Sequence, residues 1–253
     1  MRRTRTTLVL LAAALLARGA FAQPSGRPPA GLDFSSTSWT VPVMVNTQGQ
    51  FGAFFKTRAA IMNPTAAAIT VKVALYDGAG SVHEGSIDLA AGQIRSYENF
   101  LDTVLAYSGA GTVKLQTLGG ADQQFVVNSE VWTQGPGGRY GTSVPAVAFT
   151  GSSAPSYSAG IWVDSSARTN VACFNDSASA NKILADVFDP SGTRLGTVTL
   201  DLAAKAWGQG SVSNSVSGGY VVFHPAGPAS CYAVVVNNTS NDGHFIAAAE
   251  YLP

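Results

Sequence analysis

The chain repeats itself, and that repetition limits what it can fold into more than any other feature. The segment Thr57-Arg58-Ala59-Ala60-Ile61-Met62-Asn63-Pro64 aligns with Thr169-Asn170-Val171-Ala172-Cys173-Phe174-Asn175-Asp176. At the same offset, Val73-Ala74-Leu75-Tyr76-Asp77-Gly78-Ala79-Gly80 aligns with Ala185-Asp186-Val187-Phe188-Asp189-Pro190-Ser191-Gly192. One residue later in register, Ile87-Asp88-Leu89-Ala90-Ala91 aligns with Leu200-Asp201-Leu202-Ala203-Ala204, and upstream Val41-Pro42-Val43 echoes Val144-Pro145-Ala146. Collinear matches in nearly one register mark a duplicated unit. Two copies in 253 residues leave each about 100 residues, enough for its own core.

Each copy reads as short strands joined by tight turns. Residues 70–76 are β-branched and alternating, then turn at Asp77-Gly78-Ala79-Gly80 into 81–89. Residues 183–188 do the same through Asp189-Pro190-Ser191-Gly192 into 193–202. Pro presets φ and Gly accepts positive φ, so these are hairpin turns, with Gly192 expected in the left-handed region and each Asp capping its own turn. Later strands are expected at 111–117, 124–132, 219–224 and 231–237. One short helix is expected at 99–106, where Phe100, Leu101, Val104 and Leu105 share a face; its Ser-rich counterpart at 211–217 reads as a loop. Strands at this spacing predict an all-β fold of two tandem antiparallel β-sandwich domains, 39–148 and 149–253. A single closed barrel is the rival, and the repeat of whole units argues against it.

The first residues set the expected compartment. Arg2, Arg3 and Arg5 precede an apolar run at 8–16 and the small-x-small site Ala20-Phe21-Ala22. This is the pattern of a signal peptide, residues 1–22, cleaved before Gln23. The run falls well short of the ~20 residues a membrane span needs, so no transmembrane segment is expected in the mature chain. Residues 23–38 read as a flexible lead-in. Cleavage removes four of the 15 basic residues, leaving 11 against 15 acidic ones, and no basic block remains. Nucleic acid is therefore not expected as a partner. The expected location is periplasmic or extracellular.

The same motifs resemble a repeat of secreted, mostly uncharacterised proteins of environmental bacteria. The resemblance rests on Val41-Pro42, Lys56-Thr57 through Asn63-Pro64, Leu75-Tyr76-Asp77 with Gly80, Leu89 with Gly92, and Arg139-Tyr140-Gly141. The second copy keeps Arg168-Thr169, Asn175, Phe188-Asp189, Gly192 and His244-Phe245, but lacks the Pro after Asn175 and has Lys205 where the pattern has Gly. The resemblance covers nearly all of the mature chain. It implies tandem immunoglobulin-like sandwiches and says little about activity, because fold does not imply function.

Candidate chemistry is sparse. Cys173 and Cys231 are the two cysteines, and an even count in an oxidising compartment favours a disulfide over two buried thiols. They fall on an early and a late strand, as a bridge between facing sheets requires, and their aligned positions Ile61 and Val126 are apolar. Such a staple contributes about 4 kcal/mol by the chain-entropy relation. His83, His224 and His244 show no ligand spacing, so no metal or cofactor is expected. Asp77 lacks the alternating carboxylates of a calcium loop. Asp186 with Asp189, or Asp176 with Asp164, are the carboxylate pairs a glycosidase could use, and scattered surface carboxylates explain them as well. No Gly-x-Ser-x-Gly elbow occurs, so no catalytic residues and no enzymatic activity are expected.

Recognition remains. The segment from Trp132 to Tyr140, with Arg139 and three glycines between them, reads either as an exposed binding loop or as a hairpin whose aromatics pack on the sandwich edge. Trp162 and Trp207 are weaker candidates. The first copy carries this Gly-rich segment while the second carries both cysteines, which places any binding surface on the first. The functional expectation is a non-catalytic module for adhesion, structure or protein–protein contact. The alternative is carbohydrate binding through loop aromatics. The partner is then an extracellular protein or a glycan.

Overall fold

The computed structural model describes residues 36–250 apart from 120, 121, 136, 149 and 150. The expected signal peptide and nearly all of the lead-in lie outside the described residues. The first half runs β1 (Ser38–Gln48), β2 (Phe54–Met62), β3 (Ile69–Tyr76), β4 (Val82–Leu89), β5 (Ile94–Tyr97), α1 (Phe100–Leu105), β6 (Gly109–Thr117), β7 (Val126–Gly135) and β8 (Gly138–Ser143). The second runs β9 (Ser156–Val163), β10 (Ala167–Asn175), β11 (Asn181–Phe188), β12 (Arg194–Leu202), β13 (Trp207–Ser211), β14 (Val216–Pro225), β15 (Ala229–Asn237), β16 (Gly243–Ala247) and β17 (Ala249–Glu250). The protein is all-β with antiparallel sheets, and α1 is its one α-helix among the described residues.

Alternation explains the strands. Ile69, Val71, Val73 and Leu75 of β3 are buried while the residues between them are not, and Asn181, Ile183, Ala185 and Val187 of β11 repeat that pattern. A period of two puts one face of each strand into the core. In the first half the sheet order is β4-β3-β6-β1-β2-β7-β8, with β5 paired to β2. Strand β1 pairs β6 along most of its length and β2 at Asn46–Gln48, with its register shifting between Val41 and Met44. It thereby joins two layers. In the second half the corresponding layers are separate sheets, β12-β11-β14-β9-β17 and β13-β10-β15-β16.

Two matched residues bind the layers in each half. Thr57 and Thr169 are fully buried. Thr57 Oγ1 accepts from Val45 N–H at 2.7 Å, and Thr169 Oγ1 donates to the Trp162 carbonyl at 2.6 Å. Six residues on, Asn63 and Asn175 are also fully buried. Asn63 Nδ2 donates to the carbonyls of Ala67, Leu89 and Ala90, and its Oδ1 accepts from Thr65. Asn175 bonds Ser179, Leu202, Ala203 and Ser177 in the same way. A buried amide costs little only when its donors and acceptors are met, and here they tie the β2–β3 turn to the β4–β5 turn. These motif residues are structural.

The hairpin turns form as expected. Asp77 Oδ1 accepts from Ala79 and Ser81 N–H, and Asp189 Oδ1 from Ser191 and Thr193 N–H. Gly80 and Gly192 have φ of +79° and +87°. The echo at Val144-Pro145-Ala146 has a different explanation from the one its sequence suggests. It lies after β8, with Val147 bridged to Thr40, and the strand equivalent to β1 is β9.

Two apolar clusters form. One gathers the first half's interior and extends to Ala172, Phe174, Trp207 and Tyr232 of the second half; the other lies inside the second half. The outer face of the β13-β10-β15-β16 sheet is thus packed against the first half.

Candidate functional site

The Trp132–Tyr140 segment is a ladder, not a long loop. Trp132 pairs with Gly141, Thr133 with Tyr140, Gln134 with Arg139 and Gly135 with Gly138. The Arg139 guanidinium lies 3.8 Å from the Trp132 ring centroid, a close cation–π contact. Arg139 also pairs with Glu98 at 2.5 Å, while the Trp132 indole N–H donates to the Glu98 carbonyl at 3.2 Å. Tyr140 folds back over the turn: a Cβ on Gly137 would come within 2.4 Å of its hydroxyl, and one on Gly135 within 2.8 Å of its ring. The glycines are there to admit that ring. Trp132, Arg139 and Tyr140 are brought together, with one Trp132 face already covered by a cation.

Cys173 and Cys231 form the disulfide, with Cα atoms 4.1 Å apart. It does not cross between facing sheets. The two residues sit directly opposite each other on neighbouring strands β10 and β15 of one sheet. The equivalent cross-strand pair in the first half is Ile61 with Val127, not Val126. The second-half sheet therefore carries a covalent link where the first carries an apolar contact.

The carboxylates that sequence singled out are engaged one by one. Asp164 accepts from Ser166 and Ala167 N–H in a turn. Hydrogen bonds from Ser191 and Thr193 hold the Asp189 carboxyl below its usual range. Asp186 receives Arg194 at 2.6 Å and stands 3.7 Å from His224. Asp77 stands 3.1 Å from His83, whose ring packs on Tyr107. No carboxylate pair shares an open site with a histidine, and no group of three or more metal-ligating side chains occurs among the described residues.

Sequence reading missed Asp176 as a junction. Its Oδ1 accepts from Lys114 of β6 at 2.8 Å and from Lys205 at 2.9 Å, and its Oδ2 from Gly151 N–H. Burial works against this carboxylate, but the hydrogen bonds from Lys114 and Lys205 outweigh burial and lower its pKa. Lys205, which stands where the repeat pattern has Gly, adopts a left-handed φ of +57°. Its ammonium is held on Asp176, which offsets that conformation. The only signal in the sequence was the departure from Gly.

Of the two weaker candidates, Trp162 lies on β9. It is 41% exposed and borders a shallow groove of about 470 Å³ with Asn237, Ser240, Asp242 and His244. Gly218, with φ of +72°, lies beside its ring. Trp207, by contrast, is buried, and its indole N–H donates to the Tyr232 hydroxyl at 3.0 Å.

No helix among the described residues is long and apolar enough to cross a membrane. No family model and no curated protein matches the chain. Among solved structures it is similar to β-glucuronidase 2 of Bacteroides uniformis covalently bound to cyclophellitol-6-carboxylate aziridine, at 12% identity and a TM-score of 0.18, covering 85% of this chain and 26% of that one. The chain spans about a quarter of that enzyme's length, and a likeness this slight carries no argument about fold or activity.

Proposed function

We propose that this chain is an exported, non-catalytic pair of immunoglobulin-like sandwich modules acting by surface contact, in adhesion, structure or protein–protein association. The observation that carries this reading is the commitment of its carboxylates: Asp77, Asp164, Asp176, Asp186 and Asp189 each serve a turn or an ion pair. A duplicated origin for the modules is supported by matching strand orders, β4-β3-β6-β1 in one half and β12-β11-β14-β9 in the other. Export is supported by the disulfide, a bond that persists in oxidising compartments.

A second reading, glycan binding, is favoured by the Trp162 groove, where an exposed ring stands beside amide, hydroxyl, carboxylate and imidazole groups. Pull-down on insoluble polysaccharides and a glycan array separate the two. The contact reading expects no specific sugar. Sugar binding lost in Trp162→Ala and kept in Trp132→Ala would overturn it and place the glycan on the second half.

A further inference from the structure

Between the two halves the packing opens into a cavity of about 320 Å³. Val45 and Val131 from the first half and Trp207, Tyr232, Val234 and Phe245 from the second form an apolar side, and Thr142, Asn170, Gln209 and Ser211 add polar groups to the lining. At its floor the Trp207 indole N–H is spent on the Tyr232 hydroxyl, and the Tyr232 and Phe245 rings stack at 4.8 Å. A volume of this size lies at the lower end of small-molecule pockets, ~300 Å³ and upward. It holds about ten water-sized groups at ~30 Å³ each. The aromatic and aliphatic side favours an apolar group, and the polar residues leave room for a polar head.

The rim adds a charge. Among the residues that line the cavity, Arg168 is the one that carries a charge, and no Asp or Glu is present. Its guanidinium donates to two neutral acceptors, Asn238 Oδ1 at 3.1 Å and Asn241 Oδ1 at 2.8 Å. Arg168 has no acidic partner among the described residues. A half-buried guanidinium without a counter-charge is an unfavourable arrangement that an anion relieves. Beside it stands Phe51, at the tip of the turn joining β1 to β2, 70% exposed and with its ring 5.4 Å from the guanidinium. Phe51 also holds a left-handed φ of +57°, a conformation costly for an aromatic residue. Gln48, Gly49 and Gln50 of the same turn line the cavity mouth.

We propose that this cavity binds a small amphiphilic carboxylate, its apolar chain between the halves against Trp207, Tyr232 and Phe245 and its head on Arg168. The planar guanidinium suits a carboxylate, with which it forms paired hydrogen bonds. The chain length that fills the volume is about ten carbons. This site is independent of the Trp162 groove and of the contact function proposed above.

The test is titration of the oxidised protein with decanoate, decanol and decyltrimethylammonium. Calorimetry supplies the affinity, and the NMR signal of the Trp207 indole N–H reports the location. The expected result is one decanoate per chain, a shift of the Trp207 signal, and at least about tenfold weaker binding of the other two probes. Arg168→Gln should weaken decanoate by about tenfold and leave decanol unchanged. Val234→Trp, which fills the cavity, should abolish decanoate binding while the thermal transition is kept. Equal affinity for all three head groups would overturn the carboxylate assignment. So would decanoate binding that survives Val234→Trp, or no saturable binding up to about 1 mM. Should Arg168→Gln fail to fold, the head-group series and Val234→Trp decide the question by themselves.

Discussion

Strands β2 and β10 start from matching sequence and end in different surroundings. Thr57, Ala59 and Ile61 of β2 point inward, while Arg58, Ala60 and Met62 face outward with partial or full exposure. In β10 the inward set is Thr169, Val171 and Cys173, but the outward residues Ala172 and Phe174 are buried too. The reason is the neighbour. The sheet of β10 lies between its own core and the first half, where Phe174 meets the Tyr76 ring at 5.4 Å and the Lys114 ammonium at 5.1 Å. One half thus presents this face to solvent, while the other buries it as an internal joint. The difference is small in sequence, Met62 against Phe174, and large in burial, 39% against 1% exposed.

A like contrast holds at the fourth strand of each half. A Cβ on Gly85 would meet Val104 and Leu105 of the helix at 2.9 Å, and one on Gly196 would meet the Asn214 side chain at 2.5 Å. A helix in one half and a loop in the other cross that strand, at glycines that occupy different registers, Gly85 opposite Val73 and Gly196 opposite Val187. The crossing is the shared requirement, and the element that makes it is free to change.

The comparison can be broken most directly at the staple. Cys173→Ala should cost about 4 kcal/mol in oxidising buffer and little in reducing buffer; equal losses by urea unfolding in both would remove the disulfide from the account. Next in size, Phe174→Ala should cost about 3–5 kcal/mol as a buried aromatic. Its partner position, Met62→Ala, should stay within about 1 kcal/mol. Similar losses at both sites would show that the outer face of β10 is not a joint.

The hairpin glycines sharpen the picture further. Gly80→Ala and Gly192→Ala each carry the left-handed penalty of about 1–2 kcal/mol. Gly80 should lose more, because its added Cβ would come within 2.5 Å of the Ala204 carbonyl, whereas Gly192 has nothing nearer than 3.8 Å. Equal thermal shifts would contradict the contact between the first hairpin and the second half.

The smallest effect concerns pH. Hydrogen bonds from Lys114 and Lys205 hold the folded pKa of Asp176 below the usual carboxylate range. Its contribution is therefore complete above that range and is lost as pH falls through the lower folded pKa. Asp176→Asn should flatten the acid limb of stability against pH, more than Asp164→Asn does at its exposed turn. An unchanged acid limb would mean that the Lys114–Asp176–Lys205 junction does not couple the halves.

Much of the architecture was legible because it rests on local rules. Alternation at β3 and β11, Asp-x-x-Gly at both hairpins, and the apolar face of α1 are each properties of a few adjacent residues. The repeated Thr and Asn were visible as a pattern, but their role as buried anchors was not, since their partners lie up to 28 residues away. The Trp132 segment was open to two readings because its sequence alone does not register Arg139 over the indole.

What the sequence determined alone is the all-β class, its strands and its turns, since backbone preference and a period of two act within each segment. What only the tertiary structure decided is how the two halves meet. The disulfide lies within one sheet, Asp176 gathers lysines from both halves, and a cavity lined by the Arg168 guanidinium opens between them. Those outcomes depend on which outer face packs against which, and that is settled by apolar burial summed over distant residues rather than by any local signal.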